Sequence, residues 1–274
     1  MLKSGSYLLS FWIISLYSSV IGVVTICWLL TVALRAGNPK TAMTYHPDLD
    51  IAALYASFSV PITEADCGKL CAPYNPSGKP FCCDICVAVP VALKEEWAYL
   101  KPNTRLWHRL RGDECPKDPI DVPKMKAETP AYMHLMACRG PEHCERDFRT
   151  LSCRQFPFSP YITTDDRFIG LTYNWDFEQV CWVISNLDLV TSAYRKEFID
   201  LYDQLLYEYP KEYDSYYFLS EDMRAVFKKR RRRIPILHRD GFDYLLSPAT
   251  DRLSRVDPAH FRKYGPYRPA KRSE

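Results

Sequence analysis

Eight cysteines gathered in short-spaced groups constrain this chain more than any other feature. Cys67 and Cys71 open the series, Cys82, Cys83 and Cys86 follow within five residues, and Cys138, Cys144 and Cys153 close it. Gly, Pro and Asn surround them, so the backbone turns often there. Thiolates brought together at such spacing suit a borderline-soft metal: Zn²⁺ and iron–sulfur clusters both take sites built from four cysteines. Eight cysteines make two such sites, or one site with spare thiols. His143, next to Cys144, reads as a loop histidine, although an imidazole can replace a thiolate at zinc.

Two other readings compete with metal. Ten cysteines lie between positions 67 and 181, an even number, as a disulfide framework needs. Adjacent Cys82 and Cys83 pair poorly with each other, however, and disulfide-dense folds are usually smaller than 274 residues. Catalytic thiol chemistry of the thioredoxin kind needs a Cys-x-x-Cys at the start of a helix that follows a strand, and none is present. Metal is the preferred reading. Cys115 stands apart from the groups, and Cys27, in an apolar run, is a small hydrophobe.

Residues 7–34 carry no charge. At about 1.5 Å per residue that run exceeds a bilayer core of roughly 30 Å, with Lys3 and Arg35 at its flanks. Two readings of residues 1–42 stand: a transmembrane helix, or a stretch upstream of a natural start at Met43. The body is expected in the cytoplasm, anchored to the membrane if the helix is real. Hydrophobic residues at 47% and charged residues at 25% exclude wholesale disorder.

The pattern beyond Met43 predicts a domain at 43–185, a helical part at 186–246 packed on it, and a basic, extended tail at 247–274. Thr63-Glu-Ala-Asp predicts a capped helical turn that presents Cys67 and Cys71 on one side. Residues 72–81 and 112–130 are loop by composition. Residues 94–111 read as helix, broken at Pro102, and 131–138 as a turn or two of helix. Residues 156–163 and 167–174 read as a β-hairpin around Thr164-Asp165-Asp166. Residues 187–209 form an amphipathic helix ended by Pro210, a further helix starts at Ser220, and 234–246 add a short strand pair.

The cysteines carry a resemblance. Adjacent Cys82 and Cys83, with Cys138, Cys144, Arg149 and the closing Cys153-Arg154-Gln155-Phe156-Pro157, resemble the YkgJ-type cysteine-cluster family, described as chelating zinc or iron. The likeness covers residues 60–185. The first group departs from the pattern: three residues rather than two separate Cys67 from Cys71, and ten more precede Cys82. The resemblance implies metal or cluster binding through Cys67, Cys71, Cys82, Cys83, Cys86, Cys138, Cys144 and Cys153, with no established reaction. Arg154 is expected beside the ligands, where a guanidinium offsets the negative charge of four thiolates around Zn²⁺. Some proteins with related clusters are associated with protein lysine methylation, so a redox or methylase-like enzyme is the alternative. An extracellular disulfide-rich domain is the second alternative.

Charge is uneven. Residues 228–274 hold fourteen Lys and Arg against five acids, so the rest of a chain of net charge +3 sums to −6. Lys228, Lys229, Arg230, Arg231, Arg232 and Arg233 run together at a helix end. They are a candidate patch for nucleic acid or an anionic membrane surface, or simply complement the helix dipole in solvent. No phosphate loop, dinucleotide Gly pattern, zinc-protease motif or nucleophile elbow is present, so no small-molecule substrate is identified. The expected fold class is α+β and helix-dominated, with a loop-rich cysteine-cluster metal-binding core and a small β-hairpin.

Overall fold

The computed structural model describes residues 49–116 and 118–269. The uncharged run 7–34, with the whole of 1–42, lies outside the described residues. Among the described residues no helix is long and apolar enough to cross a membrane.

Two helices form the best-packed part. Tyr194, Phe198, Leu201, Tyr202 and Leu205 recur at helical spacing and are all buried along α6 (Ser192–Glu208). Thr191 caps it, its hydroxyl accepting from the Tyr194 N–H at 3.2 Å. Pro210 stops α6 but opens α7 (Pro210–Lys229). In the first helical turn Pro forfeits only an N–H that would have no partner. The helix start expected at Ser220 is thereby corrected. Ser220 sits buried in mid-helix, donating to the Tyr216 carbonyl at 2.7 Å and accepting from the Ile162 N–H at 3.0 Å.

That second bond ties the helix to a sheet. Strands β4 (Phe158–Ile162) and β5 (Phe168–Tyr173) form the expected hairpin. They do not stand alone. β6 (Ile234–His238), β7 (Asp243–Leu246) and β8 (Leu253–Arg255) extend them into a five-stranded antiparallel sheet in the order β4-β5-β6-β7-β8. Gly170 of β5 is required where β5 meets β6. Its φ is +146°, and a Cβ there would run into the Leu237 carbonyl oxygen.

A second, three-stranded antiparallel sheet lies nearer the cysteines. β1 (Val91–Leu93) and β2 (Trp107–Arg109) flank β3 (Met133–Cys138), with Val91 opposite Leu135 and Trp107 opposite Cys138. Helix α3 (Lys94–Asn103) follows β1. The helix expected over 94–111 therefore stops at Asn103, and 107–109 is strand. The helical turn expected at 131–138 is also strand. Short helices complete the described fold: α1 (Ile51–Ser57), α2 (Cys67–Cys71), α4 (Val122–Glu128) and α5 (Leu151–Gln155).

The expected fold class needs correction. Among the described residues, eight strands in two antiparallel sheets replace the small hairpin. The middle is held by an apolar core running from Ile51 to Tyr264, in which Leu100, Met136, Tyr161, Tyr194 and Phe198 are fully buried, and a second, smaller apolar cluster gathers Val91, Leu110, Ile120, Met125 and Leu135. It is not held by a cysteine-ligated metal: among the described residues no three His, Cys, Asp or Glu side chains stand close enough to hold one ion. The larger sheet also takes strands from both sides of the boundary expected at residue 185. Nor is 247–269 simply extended, since Phe261 and Tyr264 are buried in the core.

Candidate functional site

Local hydrogen bonding carries the cysteines to one place. Asp66 caps α2, its Oδ1 accepting from the Gly68 and Lys69 N–H groups at 3.1 and 3.3 Å, and this orients Cys67 and Cys71. The loop that follows holds itself together. Asp84 Oδ2 accepts from Ser77 Oγ at 2.6 Å and from Asn75 Nδ2 at 3.0 Å, and Oδ1 accepts from the Cys86 N–H at 3.1 Å. Burial opposes ionisation of Asp84, but these three donors outweigh it and lower its pKa. Asp84 thus ties both ends of the loop around the turn Phe81–Cys83.

On the opposite wall, Glu96 organises α5. Buried, it accepts from Leu93 N–H at 2.8 Å, Leu151 N–H at 2.7 Å and Tyr55 Oη at 2.8 Å. Burial raises its pKa against those three bonds. Thr150 Oγ1 accepts from the Cys153 N–H at 3.3 Å and sets that thiol on the first turn. Trp107 Nε1 donates to the Phe148 carbonyl at 2.7 Å and holds the 144–149 loop against β2.

These segments enclose a chamber of about 720 Å³. Cys67, Cys82, Cys83, Cys138, Cys144 and Cys153 line it, with Asp66, Glu142, Arg146 and Arg149, over a floor that includes Phe156 and Phe177. All six sulfurs are free, as are Cys71 and Cys181. Cys86 does not join them: its sulfur is bonded to Cys115, so the two cysteines that sequence placed in different categories form one disulfide. Cys71 is buried and does not line the chamber.

The chamber's electrostatics are those of crowded thiols. Burial, then the neighbouring Cys71, raises Cys67 to about 11. Burial raises Cys153 to about 12, with Cys83 and Cys138 adding to it. Burial also raises Cys71 and Cys138, and Cys83 adds to both. Cys83 itself moves the other way, to about 7: the thiol of Cys82, 3.9 Å away, hydrogen-bonds its sulfur, and Arg149 attracts its charge. Cys82 is driven up correspondingly. Cys83 is thus the thiolate that its neighbours feel.

Arg149 is the cation of the site. Its Nε donates to Cys144 Sγ at 3.1 Å, and the charges of Cys144, Cys153 and Cys83 keep it protonated against burial. Arg154, expected here, faces elsewhere. Its guanidinium donates to the carbonyls of Phe58 at 2.6 Å, Asp147 at 2.8 Å and Tyr55 at 3.1 Å, and lies 4.3 Å over the Tyr55 ring. It fastens α1 to the cysteine loop and touches no thiol. The sequence pattern includes Arg149, four residues before Cys153, but gives it no role, and it leaves out Cys181 because that cysteine belongs to no short-spaced group.

Three cations of the basic run make contacts within the fold. Arg232 makes a two-pronged pair with Glu178, both bonds 2.8 Å, and also reaches the Tyr264 hydroxyl. Arg230 meets Glu178 at 3.3 Å, and Arg233 donates to Ser254 Oγ at 3.1 Å. Lys228, Lys229 and Arg231 are exposed. Half of the run therefore fastens the C-terminal segment to the body.

The chain matches no family model, no curated protein and no solved structure.

Proposed function

We propose that the chamber chelates zinc or an iron–sulfur cluster through its cysteine thiolates, as a ligand of a fold already held by its apolar core, in a regulatory role. One observation carries this reading. Six free thiols from separate segments of the chain converge on one chamber, with a guanidinium bonded to one of the sulfurs. The donor set fits in chemistry: soft sulfur donors, one exposed and five half-buried, with a cation to offset their charge once they ionise. Cys67, Cys82, Cys83, Cys138, Cys144 and Cys153 are the candidate donors; no three of them stand close enough to hold one ion as the fold stands, so binding would have to draw them together, and the metal would supply strong thiolate bonds and, as a cluster, an electron-accepting centre. Cys83 is poised to give up its proton first, because Cys82 and Arg149 already stabilise its charge. The remaining thiols release theirs on binding, so affinity should rise with pH.

A second reading, thiol redox chemistry, is favoured by the Cys82–Cys83 contact and the low pKa of Cys83. One test separates the two. The full chain is purified without oxygen, and its metal, acid-labile sulfide and visible spectrum are measured. Stoichiometric zinc, or iron with sulfide and a broad visible band, supports chelation. A metal-free protein whose Cys82 and Cys83 are oxidised together supports the redox reading and sinks the first.

A further inference from the structure

We propose that the chamber also takes an organic anion: a small molecule with an apolar body and a carboxylate, sulfonate or phosphate at one end. This does not depend on chelation, and it concerns the chamber with its thiols apart, as the fold holds them. The space exceeds what a metal needs. At about 720 Å³ it falls within the range of roughly 300–1,000 Å³ in which proteins enclose small organic ligands. A zinc ion with thiolates at about 2.3 Å fills only a fraction of it. Much of the wall is apolar: Ile62, Val87, Leu106, Trp107, Phe156 and Phe177 all line the chamber. The Phe156 and Phe177 rings meet edge to face, with centroids 4.7 Å apart. The one polar atom of the Trp107 side chain is spent on the Phe148 carbonyl, so its ring offers only apolar surface. Walls of this kind suit an aromatic or hydrocarbon body.

Arg149 sets the sign of the ligand. Of the described Asp, Glu, Lys and Arg residues that line the chamber, it alone is withdrawn from water; Glu64, Asp66, Lys69, Glu142 and Arg146 are exposed. Asp66 is moreover engaged with the N–H groups that open α2. Among the described residues Arg149 forms no ion pair with a carboxylate, and its side chain makes one hydrogen bond, from Nε to Cys144 Sγ. Both Nη groups are therefore left over, and they carry four of the five N–H donors of a guanidinium. Two such donors side by side match the two oxygens of a carboxylate, sulfonate or phosphate. A half-buried cation without an anion is costly, and a ligand oxyanion would offset that cost. The exposed acids would repel the same anion only across solvent, where charges are well screened.

The probes are anilinonaphthalene sulfonate and its uncharged counterpart phenylnaphthylamine, which share a ring system and differ by the sulfonate. Each is titrated by fluorescence into the full chain after a chelator has removed any metal. The sulfonate should bind wild type tighter than the uncharged probe by about tenfold or more, as a hydrogen bond to a charged group implies. Arg149→Gln should erase that preference and leave the uncharged probe's affinity unchanged. Arg149→Lys, which keeps the charge but not the fork, should fall between. Equal affinity of the two probes for wild type, or a preference that survives Arg149→Gln, would overturn the inference. A second readout needs no variant. Saturating sulfonate should slow iodoacetamide alkylation of Cys144 in wild type several-fold, read by peptide mass spectrometry, because the ligand would cover the guanidinium bonded to that sulfur. Unchanged alkylation would overturn the inference. Metal content, measured on untreated chain, decides chelation separately, so either reading can fail alone.

Discussion

Replacing Glu212 by Gln should flatten the acid side of the protein's stability profile. Glu212 lies on the first turn of α7, only 3% exposed, and borders a cavity of about 30 Å³ that is also lined by Glu96, Gln155 and Tyr216. Its Oε1 has no hydrogen-bond partner. Burial pushes its carboxyl from 4.5 up to about 7; a bond to Tyr132 opposes the rise and the like charge of Glu96 adds to it. Between those two values the folded state binds more protons than the unfolded chain. The stability contributed by this group is therefore fully present below pH 4.5 and is lost as pH rises through about 7. A rise of that size corresponds to about 3 kcal/mol. Gln keeps the shape and cannot ionise. Cys83 works in the opposite sense: pulled down from 9.0 to about 7, it adds stability as pH climbs through that range. The wild-type minus variant difference cancels it. Urea unfolding of both proteins from about pH 4.5 to about pH 8 should show wild type losing about 3 kcal/mol relative to Glu212→Gln. Parallel profiles for the two proteins would refute the reasoning.

Three further outcomes follow from the same structure. Arg149→Ala removes a charge that helps hold Cys83 at about 7, so Cys83 alkylation near neutral pH should slow several-fold, with Arg149→Lys in between. Glu178→Ala strips the partner from Arg232 and Arg230 at a carboxylate only 5% exposed, and should cost about 3 kcal/mol in thermal or denaturant unfolding. Opening the Cys86–Cys115 bond by double Ser substitution frees a loop spanning 29 positions, and by loop-closure entropy should cost about 3.6 kcal/mol in guanidinium unfolding.

Much of the helical structure was legible in the sequence, because α6 writes its buried face at regular spacing over four turns. The β4–β5 hairpin was legible too, since its turn is local: Thr163 Oγ1 donates to Asp165 and Asp166 takes a φ of 62°. The extent of the larger sheet was not. Gly170 pairs with His238 across 68 positions, and no local pattern announces that partnership. β1 and β3 are short apolar runs, in which periodicity does not separate strand from helix. Pro210 was read as an end when it is also a beginning. At the site, six of the eight cysteines grouped by spacing line the chamber, but spacing could not distinguish a sulfur facing the chamber from one in a disulfide, as Cys86 and Cys115 show. Arg154 was singled out because it neighbours Cys153 in sequence. The side chain that reaches a sulfur is Arg149, five residues earlier and just outside the helix, and only the folded loop decides between them.

The central claim is that the gathered thiols bind metal through sulfur. X-ray absorption at the metal edge of the anaerobically loaded full chain tests it most directly. The account predicts a first shell of sulfur alone, at about 2.3 Å if the metal is zinc. A shell dominated by nitrogen or oxygen would contradict it, because those donors would place the metal away from the cysteine chamber.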